Sequence, residues 1–275
     1  MARILGLGDN TIDTYISAGL QFPGGNAVNV AVLSRRLGAE TSYLGCLGDD
    51  EGGAILEAAL REEGIDLSHV RRLAGPNARA RIAHDNGDRR FNGSSPGVRG
   101  RYDLSAADFD FIAAHDLVHT SCNSDLDASL ARIAAAARRV SYDYSEKWTN
   151  ERLAATLAHV DIAFLSAPRL AEEDCEALAR RCAACGPSTV VVTRGTAGAV
   201  GLADGRVLIQ AVVPTQVVDT LGAGDGFIAG FLVAHLNGAN LATALAGGST
   251  VAARVCTWRG AFGHARPWSV ASHED

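Results

Sequence analysis

Short apolar runs alternate along the chain with longer segments in which apolar residues recur every three or four positions. The short runs are typical of buried strands, and the longer segments of amphipathic helices. We predict strands at residues 3–7, 41–47, 116–121, 140–143, 161–165 and 189–193. We predict helices at residues 26–37, 51–63, 125–139, 151–159 and 170–184. Apolar strands that alternate with helices indicate a mostly parallel sheet covered on both faces, so we expect a three-layer α/β/α fold.

One segment breaks this alternation. Between residues 77 and 97, polar and apolar residues alternate on both sides of Asn86-Gly87, a dipeptide that favours a tight hairpin turn. The segment contains no apolar run long enough to form a core of its own. A polar hairpin inserted in an α/β domain can be a lid over a site or a surface decoration, and the sequence alone leaves both readings open.

Composition and charge narrow the function classes. The 275 residues are 47% hydrophobic and 20% charged, which is typical of a globular chain with a large core. The formal net charge of −6 provides no basic surface for nucleic acid or an anionic membrane, so we expect neither as a partner. We see no secretory signal and no run that could span a bilayer, and we expect a cytoplasmic protein. If the protein binds a phosphate, it must do so with a few local groups and not with a basic surface.

Two of the six cysteines, Cys182 and Cys185, have the spacing of a redox or zinc pair. No second pair of metal-ligating residues accompanies them at a matching spacing. Since they come late in a predicted helix, we expect them to be small buried packing residues.

A glycine-rich segment near the C-terminus offers such a local phosphate-binding site. Gly222, Ala223 and Gly224 precede an apolar helical stretch, so their backbone can present consecutive N–H groups at a helix N-terminus. Asp225 comes next and could accept the proton of an alcohol that attacks a bound phosphoryl group. Taken alone, the segment is more often a tight turn in which Asp225 caps the helix.

Two segments near the N-terminus carry polar groups suited to a neutral polyol. Gly-Gly at 24–25 opens a predicted helix, and Asn26 and Asn29 share a face of its first turn. The alternative is a helix-capping Asn26 and a buried, satisfied amide at Asn29. Asp9 and Asp13 follow the first strand, where open α/β sheets bind ligands, although acidic residues there are more often solvated loop residues. A further segment, Thr-Arg-Gly-Thr-Ala-Gly at 193–198, could let a nucleotide approach the backbone closely.

In their order and spacing, these segments resemble the PfkB (ribokinase-like) family of carbohydrate kinases. The resemblance rests on PGGNAVNVAVLSRRLGA (23–39), GDDEGG (48–53), TRGTAG (193–198), DTLGAGD (219–225) and WRGAFG (258–263). It runs from about residue 8 to residue 263, and DTLGAGD is its most specific part. It implies a single kinase domain over residues 1–275, a ribokinase-like α/β/α sandwich with a small β lid, and lid segments at about 14–22 and 77–97.

The resemblance also implies roles for individual residues. Asp225 would be the catalytic base, with an anion hole at Gly222, Ala223 and Gly224. The sugar would be held by Asp13, Gly24, Gly25 and Asn29. The nucleotide would contact Thr193, Gly195, Gly198, Ser249 and Ser166. The family uses ATP with Mg²⁺, and many members bind a monovalent cation such as K⁺, which here would lie near Asp219 and Gly260.

One departure limits this transfer. Many family members carry Asn-x-x-Glu after the strand equivalent to 161–165, where the motif helps to place Mg²⁺. This chain has Ser166-Ala167-Pro168-Arg169 instead, and Glu172 and Glu173 are displaced. The Mg²⁺ ligands are therefore left unassigned.

Within the family, five stretches resemble fructoselysine 6-kinases: GDNTIDTY (8–15), GGNAVNVAV (24–32), HDN with DRRF (84–86 and 88–91), YDYSEKW (142–148) and SAP (166–168). This implies ATP-dependent phosphorylation of the 6-hydroxyl of fructoselysine or a related fructosamine. The alternatives are another acceptor, such as fructose, ribose, 2-keto-3-deoxygluconate or adenosine, or a non-catalytic sugar or nucleotide sensor on the same fold. Lid hairpins of the family often pair between subunits, so we also expect a homodimer through the lid.

Overall fold

A computed structural model describes residues 1–85, 88–101 and 103–268, and for residues 83–92 it describes at most the backbone. The strands are β1 Arg3–Gly8, β2 Thr11–Tyr15, β3 Leu20–Gly24, β4 Glu40–Gly48, β5 Arg71–Leu73, β6 Arg79–Asp85, β7 Asp88–Ser95, β8 Leu117–Ser121, β9 Val140–Asp143, β10 Ile162–Ser166, β11 Thr189–Thr193, β12 Ala199–Ala203, β13 Arg206–Gln210 and β14 Arg266–Pro267. The α-helices are α1 Asn26–Arg36, α2 Glu51–Glu62, α3 Ala106–Ala113, α4 Leu130–Ala136, α5 Asn150–Thr156, α6 Glu172–Ala183, α7 Ala223–Leu236 and α8 Leu241–Val255.

The main sheet has nine strands in the order β13-β12-β11-β10-β9-β8-β1-β4-β5. The pairs from β11 to β5 are parallel, and β12 and β13 add an antiparallel hairpin at one edge. One hydrophobic core contains Ile4 of β1 and residues of α1, α2, α7 and α8, while the other contains Leu5 of β1 and residues of α3 to α6. Because neighbouring strand residues point to opposite faces, these are the two covered faces of the sheet. The predicted three-layer fold with a mostly parallel sheet is confirmed.

A small sheet with the order β14-β3-β2-β6-β7 stands beside the main one. Its strands β6 and β7 pair antiparallel, which confirms the predicted hairpin, whereas Asn86 and Gly87 lie outside the described residues. The parallel pairing of β2 with β6 joins the segments around 14–22 and 77–97 in one sheet. Tyr15, Phe22 and Ile82 form the buried core of this sheet.

Two sequence predictions were wrong in detail. The helix predicted at 125–139 begins only at Leu130, because Asp125 has a φ of 58° and a 3₁₀ turn occupies Asp127–Ser129. That helix ends at Ala136, since Ala137 is extended. Cys182 is buried, as expected, and burial raises the pKa of its thiol to about 11. Cys185 is exposed, contrary to the prediction, because α6 has already ended at Ala183.

Within residues 1–85, 88–101 and 103–268, none of the helices combines the length and the apolar character needed to cross a membrane.

Candidate active site

A cavity of about 1000 Å³ opens where the carboxyl ends of the main-sheet strands meet the small sheet. Its lining includes Asp9, Asp13, Asn26, Asn29, Asp143, Ser166, Thr193, Gly222, Gly224 and Asp225. Ligand sites of α/β proteins lie at this edge of the sheet, and the volume suffices for a sugar and a nucleotide together.

The residues of the predicted anion hole form the start of α7. Gly222 has a φ of 79°, and a Cβ atom there would lie 2.5 Å from the Cβ of Ala261, so glycine is required by both backbone and space. The N–H of Ala223 donates to the Thr220 carbonyl at 3.2 Å, and the N–H of Gly226 to the Gly222 carbonyl at 2.8 Å. This turn places Asp225 in the first turn of α7, beside Gly222 and Gly224 in the cavity wall.

Two asparagine side chains of α1 hold the carboxylate of Asp225. The Nδ2 of Asn26 donates to Oδ1 at 2.7 Å, and the Nδ2 of Asn29 donates to Oδ2 at 2.6 Å. Each carboxylate oxygen can accept a further hydrogen bond, because it carries two lone pairs. The carboxylate is thus fixed in orientation and can still receive a proton from a ligand.

A buried histidine fixes the amide of Asn26. His119 of β8 lies 2.9 Å from Asn26 Oδ1 through Nε2 and 3.0 Å from Ser141 Oγ through Nδ1. Burial lowers the pKa of His119 to about 3, so the imidazole is neutral and carries one N–H. We assign that proton to Nε2, which donates to Asn26, while Ser141 donates to Nδ1. The amide of Asn26 must then point its NH₂ group at Asp225.

A second carboxylate, Asp143 at the end of β9, shares the same amide. It accepts a hydrogen bond from Asn26 Nδ2 at 2.9 Å and one from the Ser145 N–H at 2.8 Å. Burial, and then the negative charge of Asp225, raise the pKa of Asp143 to about 7. Sequence reasoning missed Asp143 and His119 as site residues, because neither belongs to a glycine-rich turn and their partners are distant in the chain.

Asp9 serves α1 as a cap. Its carboxylate accepts the N–H of Asn26 at 2.7 Å and the hydroxyls of Ser121 and Ser124, each at 2.9 Å. This arrangement satisfies an N–H of the first helical turn and places negative charge at the positive end of the helix. The reading of Asp9 as a solvated loop residue is therefore wrong, since Asp9 is a buried carboxylate at the cavity wall.

The predicted sugar-binding residues come together around α1. Asp13 lies opposite Gly24, where a Cβ atom would stand 2.4 Å from its Oδ2, so Gly24 makes room for the carboxylate. Gly25 has a φ of 110° and packs on the backbone of Asn10. Asn29 Oδ1 is buried and has no hydrogen-bond partner within the described part of the chain. A buried amide oxygen at a cavity wall favours a ligand that donates a hydrogen bond.

The predicted nucleotide residues are only partly collected in the cavity. Ser166 and Thr193 line it at the ends of the neighbouring strands β10 and β11. Gly195 and Gly198 form the next turn outside the lining, and a Cβ atom at Gly198 would lie 2.1 Å from the Gln210 carbonyl oxygen. Ser249 also lies outside the lining, where its hydroxyl donates to the Ala211 carbonyl at 2.9 Å.

Asp219 and Gly260, the predicted cation position, are joined by a hydrogen bond. Asp219 Oδ2 accepts the Gly260 N–H at 3.0 Å and also the hydroxyl of Tyr15, while Oδ1 accepts the Leu221 N–H at 3.0 Å. This carboxylate fits a hydrogen-bonded junction better than a cation ligand, so we derive no step through a monovalent cation.

Comparisons with known proteins agree with this geometry. Residues 9–266 match the model of the pfkB family carbohydrate kinases. Fructosamine kinase FrlD of Bacillus subtilis is 38% identical over 98% of this chain and 95% of its own length. Fructoselysine 6-kinase of Escherichia coli is 35% identical over 95% of this chain and 100% of its own length. The chain therefore belongs to the pfkB family and is a carbohydrate kinase, as the sequence resemblance implied.

Solved structures agree on the fold. Arabidopsis thaliana ribokinase, solved with ribose and ATP, superposes with a TM-score of 0.83 at 22% identity, covering 96% of both chains. Xylella fastidiosa fructokinase, solved with ATP, gives a TM-score of 0.78 at 22% identity, covering 95% of this chain and 94% of that one. The ribokinase-like fold is therefore confirmed.

Proposed function

We propose that the protein transfers the γ-phosphoryl group of ATP to the 6-hydroxyl of fructoselysine or a closely related fructosamine. The observation that carries this proposal is the position of the Asp225 carboxylate at the N-terminus of α7. Two asparagine amides of α1 hold this carboxylate, and it faces a cavity large enough for both substrates. The names of the two similar kinases support the choice of acceptor.

The reaction follows from the positions of these groups. Asp225 accepts the proton of the acceptor hydroxyl while that oxygen forms a bond to the γ-phosphorus, and the bond from phosphorus to the bridging oxygen of ADP breaks. The backbone at the start of α7, around Gly222 and Gly224, stabilises the negative charge on the transferred group. Asn26 and Asn29 keep the carboxylate in line with the hydroxyl, which lowers the entropic cost of reaching the transition state.

ATP would lie on the side of the cavity lined by Ser166 and Thr193. Mg²⁺ usually keeps several water ligands and is held by phosphates and one or two carboxylates, and Asp143 is a carboxylate of the cavity lining that could serve as one of them. When bound, the ion would neutralise phosphate charge.

Basic side chains in the cavity favour an acceptor that carries a carboxylate. Arg79, Arg99 and Lys147 line the cavity; Arg79 and Arg99 also pair with Asp50 and Asp125 at 3.5 and 3.4 Å, whereas Lys147 Nζ donates to the neutral Asn123 Oδ1 at 2.7 Å. Fructoselysine carries the carboxylate of its lysine moiety at the end remote from the 6-hydroxyl, whereas fructose and ribose carry none. Arginine and lysine bind carboxylates through charge-assisted hydrogen bonds.

The small sheet contributes Asp13, Arg79 and residues 93–95 to the same cavity, and we propose that it acts as a lid. Strand β7 forms the edge of this sheet, so pairing of two copies along β7 would give the expected homodimer. Size-exclusion chromatography with light scattering tests the dimer.

The acceptor is tested by ADP release from Mg-ATP over a panel of fructoselysine, other fructosamines, fructose, ribose, 2-keto-3-deoxygluconate and adenosine. We expect the highest kcat/KM on fructoselysine. Faster turnover of a neutral sugar would contradict the proposed acceptor. Ligand binding without ADP release on any member of the panel would instead support the sensor alternative.

A further inference from the structure

The small sheet and the loop that leads into α7 share one buried junction. Tyr15 of β2 is 1% exposed and meets the ring of Phe22 edge-on, with 5.0 Å between the ring centroids. Leu221, the residue before Gly222, packs against this same cluster. The apolar core of the small sheet therefore includes a residue of the loop that forms the proposed anion hole.

A polar contact runs through this apolar junction. The hydroxyl of Tyr15 donates to Asp219, the same carboxylate that accepts the N–H groups of Leu221 and Gly260. Gly260 packs directly on Phe22, because a Cβ atom there would lie 2.6 Å from its ring. One carboxylate thus ties β2, the loop before α7 and the C-terminal turn together.

The strand that carries Tyr15 also carries a sugar-side residue. Asp13 and Tyr15 are two residues apart on β2, and alternate residues of a strand share a face. Asp13 lies at the acceptor wall of the cavity, while Tyr15 contacts the residue three positions before Gly222. A movement of β2 that follows occupation of the acceptor site would therefore reach Asp219 through a single rigid strand.

We propose that Tyr15 is a positioning residue whose hydroxyl, through Asp219, sets the loop from Leu221 to Asp225 for phosphoryl transfer. This inference rests on the proposed function. Tyr15 touches neither substrate nor phosphate in this scheme. It keeps the backbone of the proposed anion hole at the correct distance and orientation from the sugar that is bound at β2. Small displacements of groups at a reacting centre lower rates strongly, about 100-fold for an error near 1 Å.

Replacing Tyr15 with phenylalanine removes the hydroxyl and keeps the ring. We expect kcat for sugar phosphorylation to fall about 10-fold or more, with the KM values for sugar and ATP changed less than about 3-fold, since the loss is felt in the transition state. Asp219→Asn removes the negative charge and leaves one acceptor oxygen where two are used, so it weakens the same junction, and its effect and that of Tyr15→Phe should be non-additive in the double variant. This second route keeps the test valid if one variant is poorly folded.

The matched control is Tyr144→Phe, which removes another buried tyrosine hydroxyl. This hydroxyl is hydrogen-bonded to Thr156 at 2.9 Å, and Tyr144 belongs to the core on the face of the main sheet that α3 to α6 cover. We expect it to lower Tm without lowering kcat at a temperature well below Tm. A kcat for Tyr15→Phe equal to that of wild type, or one that falls only in proportion to the folded fraction, would overturn the inference. If wild type itself phosphorylates none of the sugars, the proposed function fails instead, and the two failures are distinguishable.

Discussion

The proposed acceptor wall and the proposed nucleotide wall of the cavity are built by different means. On the proposed acceptor wall, buried side chains of α1 and β8 hold Asp225 of α7: Asn26 and Asn29 directly and, behind Asn26, His119. On the proposed nucleotide side, Ser166 and Thr193 line the cavity at strand ends, the tight turn with Gly195 and Gly198 follows outside the lining, and the segment 211–218 is exposed throughout. The proposed acceptor side is therefore arranged before any ligand binds, whereas the proposed nucleotide side offers exposed surface that a ligand would cover on binding.

The contrast follows from what each ligand requires. A hydroxyl that must lose its proton needs a carboxylate fixed to within a fraction of an ångström, and the hydrogen bonds from Asn26 and Asn29 fix both oxygens of Asp225. Phosphates are well served by backbone N–H groups at turns and helix starts. Four apolar side chains of the exposed segment, Val212, Val213, Val217 and Val218, are between 39% and 58% exposed, and Ala211 at its start accepts the hydroxyl of Ser249.

The largest effect is expected at Asp225. Asp225→Asn removes the proton acceptor but keeps the shape and one acceptor oxygen, so kcat should fall by at least ~10²-fold while ATP binding stays near wild type. Steady-state kinetics together with titration of an ATP analogue measure both quantities. Asp204→Asn, at an exposed turn, is the control and should leave both unchanged. Near-normal kcat in Asp225→Asn would remove this residue from its role.

The next effect sharpens the contrast by adding charge to the acceptor network. Asn26→Asp places a third carboxylate against Asp143 and Asp225, where the amide now donates to both. Like charges at these distances repel, so we expect Asp225 to be displaced and kcat to fall about 10–100-fold. Asn150→Asp, in the first turn of α5, adds the same charge where the helix N-terminus tolerates it. Equal activity in the two variants would contradict the preorganised acceptor wall.

A smaller and different effect is expected at the nucleotide wall. Gly198→Ala would place a Cβ atom 2.1 Å from the Gln210 carbonyl oxygen, and Gly198 has a φ of 89°. The turn should open, so that KM for ATP rises roughly 10-fold while KM for the sugar stays within about 2-fold. A rise in KM alone is expected because the change weakens ATP binding equally in the ground state and in the transition state. Gly205→Ala is matched, since Gly205 has a φ of 73° but open space around it. An increase confined to the sugar KM would count against the division into two walls.

The smallest effect is a pH dependence of stability that arises at Asp143. Its folded-state pKa of about 7 exceeds the ordinary value of 3.8, so the folded protein holds this proton more tightly than the unfolded chain does. The resulting stability is fully present below about pH 4 and is lost as pH rises through 7. Asp143→Asn cannot ionise, so its Tm relative to wild type should rise by a few degrees between pH 5 and pH 8. The exposed Asp110→Asn should show no such trend, and a flat difference for Asp143→Asn would refute the raised pKa.

Features that depend on neighbouring residues could be predicted from the sequence, whereas contacts between residues distant in the chain were missed. The parallel sheet followed from apolar runs, and the start of α7 followed from Gly222, Ala223 and Gly224, because backbone conformation depends on neighbouring residues. His119 and Asp143 could not be recognised in the same way. Asp143 ends β9 and His119 lies in the middle of β8, and each acquires its role only when folding brings Asn26 of another element within hydrogen-bond distance. Tyr15 was missed for the same reason, since its partner Asp219 is 204 residues away.

The most direct test of the account is the ³¹P NMR spectrum of wild-type enzyme incubated with Mg-ATP and fructoselysine. We predict loss of the γ-phosphate signal and growth of a phosphomonoester signal coupled to the two methylene protons at C6, with growth at least ~10²-fold slower for Asp225→Asn. A phosphomonoester at another carbon, or release of inorganic phosphate alone, would contradict it.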